Sequence, residues 1–289
     1  MKIRQLLIVL LGSVALVILA ACAPVAAPTS GGEQPTAAQP CNEITPGEVD
    51  GAPDLQGCIL RIAVENAYQP FNFIDPDTGE AVGYDYDVFG EICERVNCQT
   101  EFVETSWDAM VAVMGGEGSF ETFDVAADGI TITEERAQNV DFSLPYVTSS
   151  QVLLVRIDED RFVEPEEFAA DPELLIGTQL GTTNYDASLA LVGEDRVIAY
   201  DQFGTAVQAV VNGDVDAVMI DNVAGIGYVG ANSELLKVSG AAVESEELGF
   251  ILGQGSPLVA PINYALESMD ADGTLADLRI GWFEPEEEE

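Results

Sequence analysis

The sequence predicts an α/β protein of mainly parallel sheets with helices packed on their faces. From Ile59 to Met114 the chain reads as strand, helix, strand, helix, and each helix must return it to the same end of the sheet. From Gln151 onward the same alternation starts again. Polar residues also gather just past the expected strands, the end at which such sheets hold ligands.

The first strand is expected over 59–64. It is followed by Glu65-Asn66-Ala67-Tyr68-Gln69-Pro70-Phe71, a polar, aromatic loop suited to receiving a ligand. Val88, Phe89, Ile92, Cys93 and Val96 share one helical face, and residues 99–104 alternate as the next strand. Ser106 is placed to cap a helix carrying Trp107, Met110, Val111 and Met114. Trp107, in the first turn after a strand, is either core or a ligand platform. In the second half, strands are expected over 151–156, 174–178, 196–200 and 215–220, the last ending at Asp221-Asn222. Gln179-Leu180-Gly181-Thr182-Thr183-Asn184 leads into a helix whose first N–H groups are open to an anion. A strand over 249–253, a helix opened by Ser256 and Pro257, and a last helix over 275–283 complete the domain.

The stretch around which the rest is organised runs from Asp128 to Arg136. Phe123, Val125 and Ala127 alternate as a strand delivering the chain to Asp128 and Gly129, and Thr133 is placed to cap a short helix. A glycine, backbone N–H groups, the Thr131 hydroxyl and the Arg136 guanidinium together suit a carboxylate, both of whose oxygens an arginine can grip. The alternative is that Arg136 pairs with a neighbouring acid on the surface.

With 289 residues, 47% of them hydrophobic, the chain can bury one large core or two modest ones. Lys2 and Arg4 precede an apolar run from Leu6 to Leu19, then Ala20-Ala21-Cys22, so residues 1–21 form a secretory signal. The cysteine after the small residues resembles a bacterial lipobox, which implies a lipid on Cys22. The alternative is a single membrane-spanning anchor. Either way the body is extracytoplasmic and tethered to the membrane. Residues 22–58 are expected as a flexible linker. Removing 1–21 leaves eight basic against fifty-one acidic side chains, which argues against nucleic acid as a partner; the acidic run 286–289 reads as a solvated tail.

Beyond Cys22, four cysteines suit two disulfides in an oxidising compartment. Proximity favours Cys41–Cys58 and Cys93–Cys98, contributing about 3 and 2 kcal/mol in the chain-entropy model. Histidine is absent, which removes His-based triads and His-containing zinc sites, and no metal or cofactor is expected.

A set of motifs in order gives the chain from about Leu60 to Phe283 a closer likeness. These are Tyr68-Gln69-Pro70-Phe71, Val82-Gly83-Tyr84-Asp85, Thr105-Ser106-Trp107-Asp108, Gly129-Ile130-Thr131-Ile132-Thr133-Glu134-Glu135-Arg136 and Val140-Asp141-Phe142-Ser143. Gly181-Thr182-Thr183, Gly213-Asp214-Val215-Asp216-Ala217-Val218 and Ala271-Asp272-Gly273-Thr274-Leu275 complete the set. The sequence resembles the family 3 extracellular solute-binding proteins, amino-acid receptors of ABC importers. The resemblance implies a two-lobed, type II periplasmic-binding-protein-like fold: two mostly parallel sheets with flanking helices, joined by a two-strand hinge that closes around the ligand. Lobe 1 would comprise 59–149 and 248–289, and lobe 2 would comprise 150–247. It also implies that Arg136 holds a ligand α-carboxylate with help from Gly129, Thr131, Thr182 and Thr183, that Asp221 takes the α-ammonium, and that Tyr68 and Trp107 sandwich the side chain. Gln179, Glu65 and Asp128 would complete the ligand set, the two acids favouring a basic side chain over a neutral polar one. The implied protein is a monomeric, non-enzymatic capture protein serving an ABC permease. The alternatives on this fold are a cyclohexadienyl-dehydratase-like enzyme and a ligand sensor.

Overall fold

A computed structural model of the chain describes residues 38–284. The signal segment, Cys22, the first part of the linker and the acidic run 286–289 lie outside the described residues. No helix among the described residues is long and apolar enough to cross a membrane.

The strands form two large sheets. The first has five strands, in the order Cys98–Glu104, Cys58–Val64, Val125–Ala126, Ile251–Gly253, Val140–Phe142. Its first three are parallel, and Ile251–Gly253 is antiparallel to both its neighbours. The second has six strands. Val197–Tyr200, Ile176–Gln179 and Ala217–Asp221 are parallel, and Val147–Arg156 continues the sheet antiparallel to Ala217–Asp221 and Leu236–Ser239. Both sheets are mostly parallel with one opposed strand, Ile251–Gly253 in the first and Val147–Arg156 in the second. Strands that arrive from the other sheet, rather than through a helix packed on the same face, enter in the opposite direction. The sixth strand, Ser245–Leu248, pairs antiparallel with the first part of Val147–Arg156, from Val147 opposite Leu248 to Ser150 opposite Ser245. These two paired strands carry the chain between the sheets.

Burial follows position in the sheet. Every residue of Ile176–Gln179 and of Ala217–Asp221 is buried, as expected of strands covered on both faces. Residues 123–130 are likewise buried throughout, so the alternation of Phe123, Val125 and Ala127 marks a central strand, not a half-exposed one. Cys98–Glu104, at a sheet edge, keeps its charged residues outward.

Helix Tyr84–Val96 buries Val88, Phe89, Ile92, Cys93 and Val96, the face read from the sequence. It ends at Asn97, which takes a left-handed conformation at φ 57° that asparagine tolerates. That reversal brings Cys98 back to Cys93, and the two form a disulfide with Cα atoms 4.5 Å apart. Ser106 makes no side-chain capping bond to helix Trp107–Met114. Thr133 does accept the Arg136 N–H at 3.1 Å, although the helix it opens is only the single 3-10 turn Arg136–Gln138.

The expected flexible linker 22–58 differs over its second part. Residues 38–58 hold a 3-10 turn at Cys41–Glu43 and a hairpin of Gly47–Val49 with Ala52–Asp54. They are fastened by the Cys41–Cys58 disulfide, by Ile59 N–H to the Gln39 carbonyl and by Leu55 N–H to the Val96 carbonyl. A spacer-like composition is overridden here by a covalent staple and by Leu55, which is fully buried.

Candidate functional site

The loops after the strands of both sheets converge on one cavity. Tyr68 comes from the loop after Cys58–Val64, Trp107 opens its helix, and Asp128, Gly129 and Thr131 come after Val125–Ala126, with Arg136 one turn on. From the other sheet come Gln179 at a strand end, Thr182, Thr183 and Asn184 at a helix start, Phe203 at the start of the next helix, and Asp221 at the end of Ala217–Asp221. The cavity is nearly closed, with about 20 Å³ open to the centre of a water, room for about one water molecule.

Its walls are drawn together by bonds between the two sets of loops. The Tyr68 hydroxyl donates to Asp221 Oδ2, Trp107 Nε1 donates to the Leu180 carbonyl at 3.0 Å, and Arg136 Nη2 donates to the Gly181 carbonyl at 3.2 Å. Thr131 and Thr183 hydroxyls lie 3.2 Å apart, and Gln179 Nε2 reaches Glu65 at 3.3 Å. Gly129 sits at φ 57°, where a Cβ would stand 2.9 Å from Tyr68 Cε1, so the turn needs glycine both for its dihedral and for its clearance.

The charged groups are unevenly satisfied. Arg136 donates to the carbonyls of Thr131 at 2.9 Å and Gly181, and its guanidinium carbon lies 5.9 Å from the Trp107 ring centre. Among the described residues, no carboxylate comes within ion-pair distance of it. Burial pushes its pKa below the usual arginine value, yet an arginine stays charged in a protein. Asp221 is 3% exposed, and its Oδ1 has no hydrogen-bond partner among the described residues. Burial, with Glu246 nearby, raises Asp221 to about 7, against the lowering effect of the Tyr68 hydroxyl, the Asn184 side chain and Arg136.

The other acids near the cavity are buried too. Asp128 accepts from Asn72 Nδ2 at 2.8 Å, and the same amide nitrogen donates to Asp85 at 2.9 Å. Burial, with Glu65 close by, pushes Asp128 well above the usual carboxylate range. Burial also raises Glu65, and it takes Asp85 to about 7 even though Asn72 and Tyr146 both donate to it. No cluster of potential metal ligands occurs among the described residues.

These shifts set a stability prediction. Asp85 and Asp221 have folded pKa values above their unfolded ones, so the folded state holds more protons between those limits, and stability falls as pH rises through about 7. The unfolding free energy by calorimetry should be higher at pH 6 than at pH 8, by on the order of 1 kcal/mol for each group, with the midpoint temperature moving the same way. A midpoint that rises with pH over this window would contradict the assignment.

A model of the bacterial extracellular solute-binding proteins, family 3, matches residues 60–285. The chain belongs to this family. Among relatives, the L-cystine-binding protein TcyA of Bacillus subtilis (strain 168) is 30% identical over 227 residues, covering 78% of this chain and 81% of its own length. Among solved structures, the ancestral amino acid-binding protein AncCDT-1, a precursor of cyclohexadienyl dehydratase, aligns with a TM-score of 0.70 at 31% identity, covering 78% of this chain and 96% of its own. An ancestral arginine-binding protein bound to glutamine aligns at 0.69 and 33%, covering 78% and 98%. The fold is that of the type II periplasmic binding proteins, two sheets linked by a pair of strands.

In this family 3 solute-binding protein the structure brings together Tyr68, Trp107, Asp128, Gly129, Thr131, Arg136, Gln179, Thr182, Thr183 and Asp221 on one cavity, as the sequence places them. Glu65 is not part of its lining; its carboxylate turns to Gln179. The aromatic residues are arranged differently from the expected sandwich of Tyr68 and Trp107. Tyr68 stacks with Phe71 (centroids 5.2 Å) and Phe203 (4.9 Å), while Trp107 lies under Arg136. The Thr182 hydroxyl caps its helix by accepting from the Tyr185 N–H at 3.1 Å and donates to the Gln179 carbonyl at 2.7 Å, so it is engaged within the protein. Sequence reasoning missed Asn184 and Phe203. Phe203 comes after a strand in the first turn of a helix, the same position that singled out Trp107, so that rule applied once more would have found it.

Proposed function

We propose that this protein is an extracytoplasmic receptor that captures an amino acid between its two sheets and delivers it to the permease of an ABC importer. The observation that carries the reading is the pair of unpaired charges in one cavity: the Arg136 guanidinium without a carboxylate, and the Asp221 carboxylate with an open oxygen, both among the described residues. A buried charge without a partner is unfavourable, and a zwitterion supplies both missing partners at once. Its carboxylate would lie against Arg136, the backbone at Gly129, Thr131, Thr182 and Thr183 and the hydroxyls of Thr131 and Thr183, and its ammonium against Asp221.

In this reading the α-groups take over from bonds within the protein, the carboxylate drawing on donors that now serve the Thr131 and Gly181 carbonyls. Because those donors and acceptors come from both sheets, only the closed arrangement makes every bond, and the ligand favours closure. The lobes would be 59–149 with 248–289, and 150–247, hinged at the paired strands. A lipid on Cys22 would tether a monomer beside its permease. For the side chain, Asp128 lies in the cavity wall with no basic residue bonded to it among the described residues, which supports a basic or polar group there. The names of the relatives point to cystine in one case and to arginine and glutamine in another.

The test is calorimetric titration of the full-length chain in detergent, after unfolding and refolding to strip bound ligand, against the twenty common amino acids, ornithine and cystine. Saturable binding of one or a few of them is expected. Binding to none would overturn the proposal.

A further inference from the structure

Glu246 lies on Ser245–Leu248, one of the two strands that pass between the sheets, and nothing in its own sequence context marks it for the site. Its Oε2 nevertheless lies 3.2 Å from the Thr131 hydroxyl and 3.2 Å from the Thr183 hydroxyl, and its Oε1 accepts from Gln151 Nε2 at 3.2 Å. One carboxylate therefore ties a loop of the first sheet, a helix start of the second and the other crossing strand. Thr131 and Thr183 both line the ligand cavity, beside Arg136.

Three oxygens, Thr131 Oγ1, Thr183 Oγ1 and Glu246 Oε2, are each about 3.2 Å from the other two. Each hydroxyl brings one hydrogen, so two hydrogens serve three lines of contact. A proton on the carboxyl supplies the third and closes the ring. The charges around this group are mixed. The Thr183 and Thr131 hydroxyls, and after them Arg136, favour the ionised form, and Glu244, just before Ser245–Leu248, opposes it. Glu246 in turn raises Asp221 across the cavity. Glu247 on the same strand and Asp186 on the Thr183–Val192 helix line the adjoining cleft with Glu246. Burial raises Glu246 above the usual glutamate value.

We propose that Glu246 is a built-in carboxylate that competes with the ligand's α-carboxylate for the hydroxyls of Thr131 and Thr183, so that the cavity binds its ligand best when Glu246 is protonated. This rests on the amino-acid reading above and adds a residue that tunes it. A ligand carboxylate on Arg136 would stand beside ionised Glu246, two like charges on shared donors, which disfavours the ionised form. Binding then takes up a proton at Glu246, and its contribution to affinity grows as pH falls through the Glu246 pKa.

The test compares the full-length wild-type chain with Glu246→Gln, which keeps the shape and removes the charge. L-Arginine, L-glutamine and L-cystine are titrated from pH 5 to pH 8, and the ratio of wild-type to variant Kd is followed for whichever binds. Using a ratio cancels the titrating groups that do not sense Glu246; Asp221 does sense it, and the carboxamide comparison below carries that effect alone. The variant is expected to bind about tenfold tighter at pH 8, the factor equal to one pKa unit, and the ratio should move towards one as the pH is lowered. Where L-arginine or L-glutamine binds, its α-carboxamide should show no such gain, because the repelled charge is missing. If the variant does not fold, the wild-type chain still decides: its preference for the acid over the carboxamide must grow as pH falls. A ratio independent of pH, or weaker binding by the variant at every pH, overturns the role of Glu246 and leaves the amino-acid reading intact. Binding of none of the three to wild type overturns both.

Discussion

Replacing Arg136 with alanine is expected to weaken amino-acid binding by about a hundredfold or more, read as Kd by calorimetry at neutral pH. Removing one partner of a buried, hydrogen-bonded charge pair costs roughly 2–5 kcal/mol, much of it from the charge left behind. Here the ligand carboxylate would be left among backbone groups without its cation. Arg136→Lys should recover only part of the loss, since an ammonium cannot present two parallel N–H bonds to both oxygens. Arg136 also bonds the Thr131 and Gly181 carbonyls, so the variant must first be shown to fold by its far-UV spectrum. A folded Arg136→Ala protein with unchanged affinity would remove the basis of the clamp.

Asp221→Asn should weaken binding by a similar factor at pH 8, and by much less at pH 6. The sign is set by the folded pKa of about 7. Only the ionised carboxylate pairs fully with an ammonium, so at pH 6 the wild-type site must first give up a proton, whereas at pH 8 it has already done so. One unit below the pKa the ionised fraction is near one in ten, so the ratio of variant to wild-type Kd should shrink by about tenfold between pH 8 and pH 6. Buffers of different ionisation enthalpy should show proton release from wild type that the variant lacks. A ratio constant over this range would mean that Asp221 does not receive the ammonium.

Much of the site was legible because its signals are local. A strand pattern running into Asp128-Gly129, with Thr131 and Arg136 a few residues on, places a turn, a hydroxyl and a cation at one sheet end whatever else the chain does. Gly129 carries that logic to the atom, since its positive φ and its 2.9 Å clearance from Tyr68 leave no space for a side chain. The second half is equally direct: Gly181-Thr182-Thr183 opens a helix and Asp221 ends a strand. The Cys93–Cys98 bridge was readable for the same reason, two residues separated by one helix end.

Other features were not legible. Tyr68 and Asp221 stand 153 positions apart, and the bond between them appears only when the loops of both sheets meet. Glu65 and Asp128 looked alike as acids near strand ends, yet one turns to Gln179 and the other is held by Asn72 in the cavity wall. Residues 38–58 have the composition of a spacer and are stapled to the body by a disulfide. Glu246 carried no signal because its partners, Thr131, Thr183 and Gln151, come from three other segments.

By itself the sequence determined the order of elements, the turns that need glycine and most of the residues at the cavity, and favoured the cysteine pairs that form, because periodicity, dihedral preference and short loops depend on near neighbours. Tertiary structure alone decided which aromatic faces stack, which carboxylates lie in the wall, and that Arg136 and Asp221 remain without charge partners among the described residues. Those outcomes depend on burial and on groups brought together from distant segments, and the protonation of a carboxylate is set by what surrounds it in space.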